Sequence, residues 1–269
     1  MKAQYKILLL SVLFFLLLGV AGCRNGNKPG TGSSGNNSEE LSKLTLFVAA
    51  GLTEPMNELI DSFGLTHNVQ IQTNYASSGT LARQIEQQEI PDIYISASKK
   101  WMKYIDSLKY VVNGKTDEVV RDKLVLIAPI ESNIDSIKID SSTPMESIIG
   151  NGMLSIGDPA HVPAGEYARQ SLVYFGWWPA LEGRLLPAKD VRSAVMVVEL
   201  GEVPAGIAYY TVARKSEKVR IIGTFPDQSH KPIVFTSGIC KQSKLAHDFN
   251  AYIISSGATP IWEKYGFTR

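Results

Sequence analysis

Tyr75-Ala-Ser-Ser-Gly-Thr-Leu-Ala-Arg-Gln-Ile-Glu86 is the stretch on which the reading of this chain turns. The residues before it, Val69-Gln-Ile-Gln-Thr73, alternate apolar and polar with the period of a strand. Within it, Leu81 and Ile85 stand four apart, the spacing of one helix face. Between the strand and that helix face lie Ser77, Ser78, Gly79 and Thr80, all small and uncharged. A strand that runs through such a turn into a helix leaves free backbone N–H groups at the helix start, with the positive end of the helix dipole behind them. That end can hold an anion without a cationic side chain. Taken alone, the stretch reads first as an ordinary serine cap. Repetition elsewhere has to separate the two readings.

The device recurs on both sides. Leu44–Ala50 is a nearly continuous apolar run of strand length, as in a strand covered on both faces. Gly51-Leu52-Thr53 follows, with Thr53 expected to cap a helix that has Pro55 in its first turn. Met56, Leu59, Ile60 and Phe63 recur at helical spacing up to Gly64. Asp92–Ser98 is a short strand running into Ser96-Ala97-Ser98, and Trp101, Ile105 and Leu108 mark the next helix. Strand–turn–helix units in succession predict an α/β fold with a largely parallel sheet.

Lys123–Pro129 is another apolar strand, and the chain beyond it to about Phe225 has elements enough for a second domain. Met153–Gly157 reads as a strand and Asp158–Gly165 as a loop, with Pro163 suited to the start of a helix carrying Tyr167, Leu172 and Tyr174. Asp190 is placed to cap a helix carrying Val191, Ala194, Val195 and Val198, which ends at Gly201. Gly206–Tyr210 is a short strand, and Thr211 opens the next turn. Ser243–Arg269 returns to helical spacing through Leu245, Phe249, Tyr252 and Ile253, then Ile261, Trp262 and Tyr265. The small-residue turn before a helix thus recurs at Gly51, Ser78, Ala97, Ala164 and Val191. Periodicity cannot say whether these turns meet.

The chain opens with Lys2 and Lys6, an apolar run from Ile7 to Val20, and Val20-Ala-Gly-Cys23. A positive start, an apolar segment too short to span a bilayer and small residues before a cut site read as a secretory signal over 1–22. The small residues before Cys23 resemble the lipobox of bacterial lipoproteins, with Val20 where Leu is usual. That resemblance implies cleavage and lipidation at Cys23. Residues 23–42, rich in Gly, Ser and Asn, read as a flexible tether. Removing Lys2 and Lys6 from 27 basic residues leaves 25 against 26 acidic ones, a net charge near −1. That balance offers no footprint for nucleic acid and no polybasic membrane patch. Cys240 is the other cysteine, so the mature domain has no internal disulfide.

Catalytic and metal motifs are missing. From Leu41 onward there is no GxGxxG, and the chain has no glycine-rich phosphate loop with its lysine and no G-x-S-x-G elbow. His67, His161, His230 and His247 lack the spacing of a zinc site. Asp158 reads as a turn former, Arg83 and Arg192 as solvated helix residues, Tyr209 as a core tyrosine and Cys240 as a buried apolar thiol.

Phe47–Thr53, Tyr75–Ile85, Pro91–Ala97 and Gly157–Gly165 resemble, in order, the signature blocks of ModA-type molybdate-binding proteins. Asp190-Val-Arg192, Gly206–Tyr209 and Lys264-Tyr-Gly-Phe267 fit the same family, so the resemblance spans Leu44 to Arg269. It implies a two-lobed periplasmic-binding-protein fold of type II, each lobe a mostly parallel sheet flanked by helices, with the ligand cleft between. Lobe one would comprise 43–125 and 224–269, and lobe two 126–223. It further implies that Gly51, Ser78, Ala97, Ala164, Val191 and Tyr209 contact molybdate or tungstate. The first of these turns usually carries Ser in the family, so Gly51 removes one hydroxyl donor here.

The implied role is an exported, lipid-anchored, monomeric binding protein that serves an ABC permease and its ATPase subunit. It is not an enzyme, and it uses no cofactor and no free metal cation. Sulfate or another tetrahedral oxyanion is the alternative ligand. A surface-anchored hydrolase on the same lobes and a structural lipoprotein with a vestigial cleft are the rivals from other classes.

Overall fold

A computed structural model describes residues 41–269. The signal segment 1–22, Cys23 and the tether as far as residue 40 lie outside the described residues. In chain order the strands are β1 (Ser42–Ala49), β2 (Val69–Ala76), β3 (Ile93–Ser96), β4 (Thr116–Asp122), β5 (Leu124–Pro129), β6 (Leu154–Gly157), β7 (Leu185–Ala188), β8 (Ala205–Tyr209), β9 (Val219–Thr224) and β10 (Ile233–Ile239). The helices are α1 (Thr53–Gly64), α2 (Ser78–Glu86), α3 (Lys99–Ser107), α4 (Met145–Ile149), α5 (Pro163–Tyr174), α6 (Trp178–Leu181), α7 (Val191–Glu199), α8 (Tyr210–Ala213), α9 (Lys244–Ile253) and α10 (Thr259–Lys264).

The strands form two five-stranded sheets, in the orders β2-β1-β3-β10-β4 and β7-β6-β8-β5-β9. In the first sheet β1 runs parallel to β2 and β3, while β10 is antiparallel to β3 and β4. The second repeats the plan, with β6 parallel to β7 and β8 and β5 antiparallel to β8 and β9. The strand–turn–helix units account for the parallel part of each sheet. The antiparallel part comes from the crossing strands. Only Lys123 separates β4 of the first sheet from β5 of the second, and residues 225–232 carry the chain back from β9 to β10. The second pass is tied to the first where Phe225 N–H donates to Leu124 O at 2.9 Å.

Burial explains why the helix starts stay put. Leu44, Leu46 and Val48 of β1 are buried on one face against α1, whose Met56, Leu59 and Phe63 answer them. Leu81, Ala82 and Ile85 of α2 are fully buried in a smaller cluster with Tyr94, Met102 and Ile105. Each such large aliphatic side chain contributes about 1.5–3 kcal/mol. Val191, Ala194, Val195 and Val198 likewise seat α7 on the second sheet. Helices anchored along their length present their first turns at the carboxyl ends of the parallel strands, where ligands bind in open α/β sheets.

One local expectation fails. Thr53 does not cap α1 from outside; a 3-10 turn, Ala50–Leu52, runs straight into the helix. Thr53 is thereby already helical, and its hydroxyl donates to Ala50 O at 2.8 Å. The other caps form as read: Ser77 Oγ accepts from Thr80 N–H at 3.2 Å and Asp190 Oδ1 from Ser193 N–H at 2.8 Å. Pro163 opens α5. Asp158 Oδ1 accepts from Ala160 N–H at 2.9 Å, which makes it a turn former.

Candidate functional site

Gly51, Ser78, Ala97, Ala164, Val191 and Tyr209 all line one small cavity between the sheets. Five come from separate turns or helix starts and Tyr209 from the end of β8, three from each lobe, and every one is buried. The rest of the wall is small or apolar, including Ala49, Ala76, Ser77, Val162 and Pro163. Among the described residues no Lys or Arg lines it. Asp190 is the only charged lining residue among them, and its Oδ1 is engaged in capping α7.

The wall is rich in donors. Ala164 and Val191 lie in the first turns of α5 and α7, whose N–H groups have no acceptor within their own helix. Ser78 occupies the same position in α2. Ser78 Oγ accepts from Ala97 N–H at 3.0 Å, which leaves the serine O–H free to donate into the cavity. Tyr94, fully buried, donates its phenol to Ser78 O at 2.8 Å and so pins that peptide from behind.

Tyr209 stands out chemically. Its ring is 1% exposed and meets Phe235 edge-on at 5.7 Å, while its hydroxyl has no hydrogen-bond partner among the described residues. Burial, reinforced by Tyr167 and Asp122 nearby, drives its pKa well above 10. The phenol therefore stays a donor at any physiological pH. A buried hydroxyl without a partner costs about 1–3 kcal/mol. That cost is offset if an acceptor occupies the cavity. Donors on the wall, fixed helix dipoles and a single carboxylate that already caps α7 together suit an anion that carries no proton.

Gly51 lies against the same ring. A Cβ built there would sit 3.4 Å from Tyr209 Cδ2 and 3.6 Å from Val191 Cγ1, ordinary contact distances. A Cβ would fit there, so a clash of the β-carbon does not account for the glycine.

Several contacts across the lobes escaped the sequence. Arg192, expected to be a solvated helix residue, is ion-paired with Glu54 of α1, and Lys215 stands 3.6 Å from the same carboxylate. Burial opposes the Glu54 charge, but the guanidinium beside it prevails and holds the carboxyl below its usual range. Lys100 pairs with Glu166 at 3.3 Å, and Tyr167 donates to Ala97 O at 3.3 Å. Their partners are far apart in the chain, so no local pattern marks them. Arg83 lies 6.0 Å from the Trp101 ring, outside the cavity. Cys240 is half-buried, its thiol pushed up to about 12 chiefly by burial.

Asp122 ends β4 at the crossing. Its Oδ1 accepts from Lys123 N–H at 2.7 Å and Thr211 N–H at 3.3 Å, and its Oδ2 takes the Thr211 hydroxyl. The residue keeps some exposed surface, but its carboxylate is enclosed. Burial pushes its pKa up to about 7 from 3.8 against these donors. The folded protein therefore holds this proton to about pH 7, while the unfolded chain releases it near 3.8. Stability from this group falls as pH climbs through that window and is fully lost above it. Asp122→Asn should flatten denaturant-measured stability between pH 4.5 and 8 relative to the parent. The gain at pH 8 should be on the order of 2–4 kcal/mol.

Among the described residues no group of three or more His, Cys, Asp or Glu could hold a metal ion, and no helix is long and apolar enough to cross a membrane. His161 Nδ1 lies 3.5 Å from Asp158 Oδ2, but no serine hydroxyl bonds to the His161 ring among the described residues.

Known proteins resemble this chain along most of its length. The model of the family described as bacterial extracellular solute-binding protein matches residues 44–268. Molybdate-binding protein ModA of Escherichia coli strain K12 is 37% identical over 237 residues, covering 87% of this chain and 92% of that one. A Bacillus subtilis strain 168 protein, provisionally named ABC transporter substrate-binding lipoprotein YvgL, is 34% identical over 273 residues, covering 100% of this chain and 99% of its own. The periplasmic molybdate-binding protein of Azotobacter vinelandii superposes with a TM-score of 0.72 at 20% identity, covering 84% of this chain and 99% of that one, a likeness of fold. With its two lobes, its shared sheet plan and a family match over nearly all the described residues, the chain belongs to the bacterial extracellular solute-binding proteins and is a member of the ModA family.

Proposed function

We propose that this chain captures molybdate, and tungstate with it, outside the cytoplasmic membrane and delivers the ion to an ABC importer. The observation that carries the reading is the buried Tyr209 hydroxyl, unpartnered among the described residues, in a cavity lined by helix starts and free of Lys and Arg. An oxyanion without protons accepts on every oxygen, so a wall of N–H and O–H donors satisfies it without leaving a buried acceptor unpaired. Gly51, Ala97, Ala164 and Val191 supply backbone N–H groups in this reading, Ser78 and Tyr209 their hydroxyls. Ala97 N–H would shift from Ser78 Oγ to the ion as it enters.

The lobes in this reading are 43–125 with 224–269, and 126–223, closing about the crossing strands. The protein binds and releases and does no chemistry on its ligand. It works as a monomer, held by a lipid on Cys23 and a tether over residues 23–42 after removal of 1–22. The lipoprotein name of the Bacillus subtilis relative supports the anchor. A permease and its ATPase would read the closed lobes.

Thermal melts with molybdate, tungstate, sulfate and phosphate at equal concentration test the assignment. Molybdate or tungstate at about a hundred times its Kd should stabilise by about 2.7 kcal/mol, or roughly 5–10 °C in Tm. Sulfate and phosphate should move Tm by less than about 1 °C. Equal stabilisation by sulfate overturns the ligand assignment. Turnover of an ester or phosphoester panel overturns the binding role.

A further inference from the structure

Gly79 sits in the first turn of α2, beside Ser78 but outside the cavity wall. Within the turn, Thr80 N–H is satisfied by Ser77 Oγ of the same lobe. Gly79 N–H is not. It donates at 3.0 Å to the backbone oxygen of His161, in the loop between β6 and α5 of the other lobe. The helix start that carries Ser78 is therefore completed by a carbonyl that the opposite lobe brings.

The approach depends on a missing side chain. A Cβ on Gly79 would lie 2.6 Å from His161 O, 2.8 Å from His161 Cα and 2.6 Å from Trp101 Cζ2. The His161 atoms belong to the backbone and cannot swing aside. Their loop is also held at its ends. Asp158 O accepts from His161 N–H at 3.1 Å and Val162 N–H at 2.8 Å, and Gly165 packs so tightly on Gly157 that a Cβ there would fall 1.8 Å from Gly157 O. A methyl group on Gly79 must therefore push the lobes apart.

We infer that Gly79 is the positioning residue for lobe closure, letting the His161 carbonyl cap α2 across the cleft and so setting how long the ion stays bound. This rests on the oxyanion-capture reading above. Gly79 supplies nothing to the ion itself. Its effect falls on release, because closure follows encounter and must be undone before the ion leaves.

The Trp101 ring would also meet the new methyl, so the test compares Trp101→Leu with Trp101→Leu/Gly79→Ala in the mature protein. The ligand is whichever of molybdate, tungstate and sulfate raises the parent Tm most. Adding Gly79→Ala should speed dissociation by about tenfold or more and leave association within about twofold. Small-angle scattering of the loaded double variant should give a larger radius of gyration than the single variant. In the unmodified protein, exchange of the Gly79 amide hydrogen should slow by about tenfold or more on loading. Equal dissociation rates in the pair, or Gly79 exchange indifferent to ligand, overturn the proposal. A parent that responds to sulfate but not molybdate overturns the molybdate assignment alone, and closure is then judged with sulfate. A response to none of the three overturns both.

Discussion

Tyr209→Phe should stabilise the protein without its ligand and weaken its hold on molybdate. The hydroxyl removed is fully buried and has no partner among the described residues, so its loss relieves a desolvation cost of about 1–3 kcal/mol. The ring stays, keeping its edge-on contact with Phe235 and its packing against Gly51. Molybdate loses a charge-assisted donor worth about 1.5–3 kcal/mol, which is about a tenfold to hundredfold rise in Kd. Denaturant melts without ligand and calorimetric titration with molybdate read the two effects separately. An unchanged Kd would remove Tyr209 from the site. A less stable free protein would mean that the phenol already has a partner worth keeping.

Ser78→Ala should move stability the other way. Ser78 Oγ is the acceptor for Ala97 N–H at 3.0 Å, in a position with no solvent exposure. Truncation strands that N–H, at a cost of about 1–3 kcal/mol to the ligand-free protein. Molybdate binding loses the serine O–H as well, but the freed Ala97 N–H can turn to the ion without first breaking a bond. The net loss of affinity should therefore be smaller than for Tyr209→Phe, about threefold to thirtyfold. Titration calorimetry on the two variants side by side gives the ranking. With Gly51 supplying no hydroxyl, Ser78 and Tyr209 carry the side-chain donation. Unchanged affinity in Ser78→Ala would refute that division.

Much of the fold was legible in local pattern. Apolar strand runs, small-residue turns and helices at Leu81–Ile85 or Val191–Val198 need only neighbouring residues to declare themselves. β4 and β10 were not legible. Thr116–Asp122 carries charges through an edge strand, and Ile233–Ile239 is broken by Thr236, Ser237 and Gly238. Both owe their conformation to pairing with each other, and β10 also pairs with β3. The Thr53 misreading has a related cause, since a 3-10 turn joined to a helix looks in sequence like the cap of that helix.

The sequence by itself determined that small-residue turns lead into helix starts, that no cationic or catalytic motif accompanies them, and which family's blocks they resemble. Those properties are local, because capping, periodicity and turn chemistry act over a few residues. Only the tertiary structure decided that five such turns and Tyr209 surround one cavity, that the Tyr209 phenol lacks a partner among the described residues, and that Gly79 meets His161 across the cleft. It also changed Arg192 from a solvated residue into a cross-lobe ion pair and enclosed the Asp122 carboxylate at the crossing. Such contacts join residues 82 or 138 positions apart in the chain, and what brings them together is the burial of two sheets against their helices, not any preference of the residues for their neighbours in sequence.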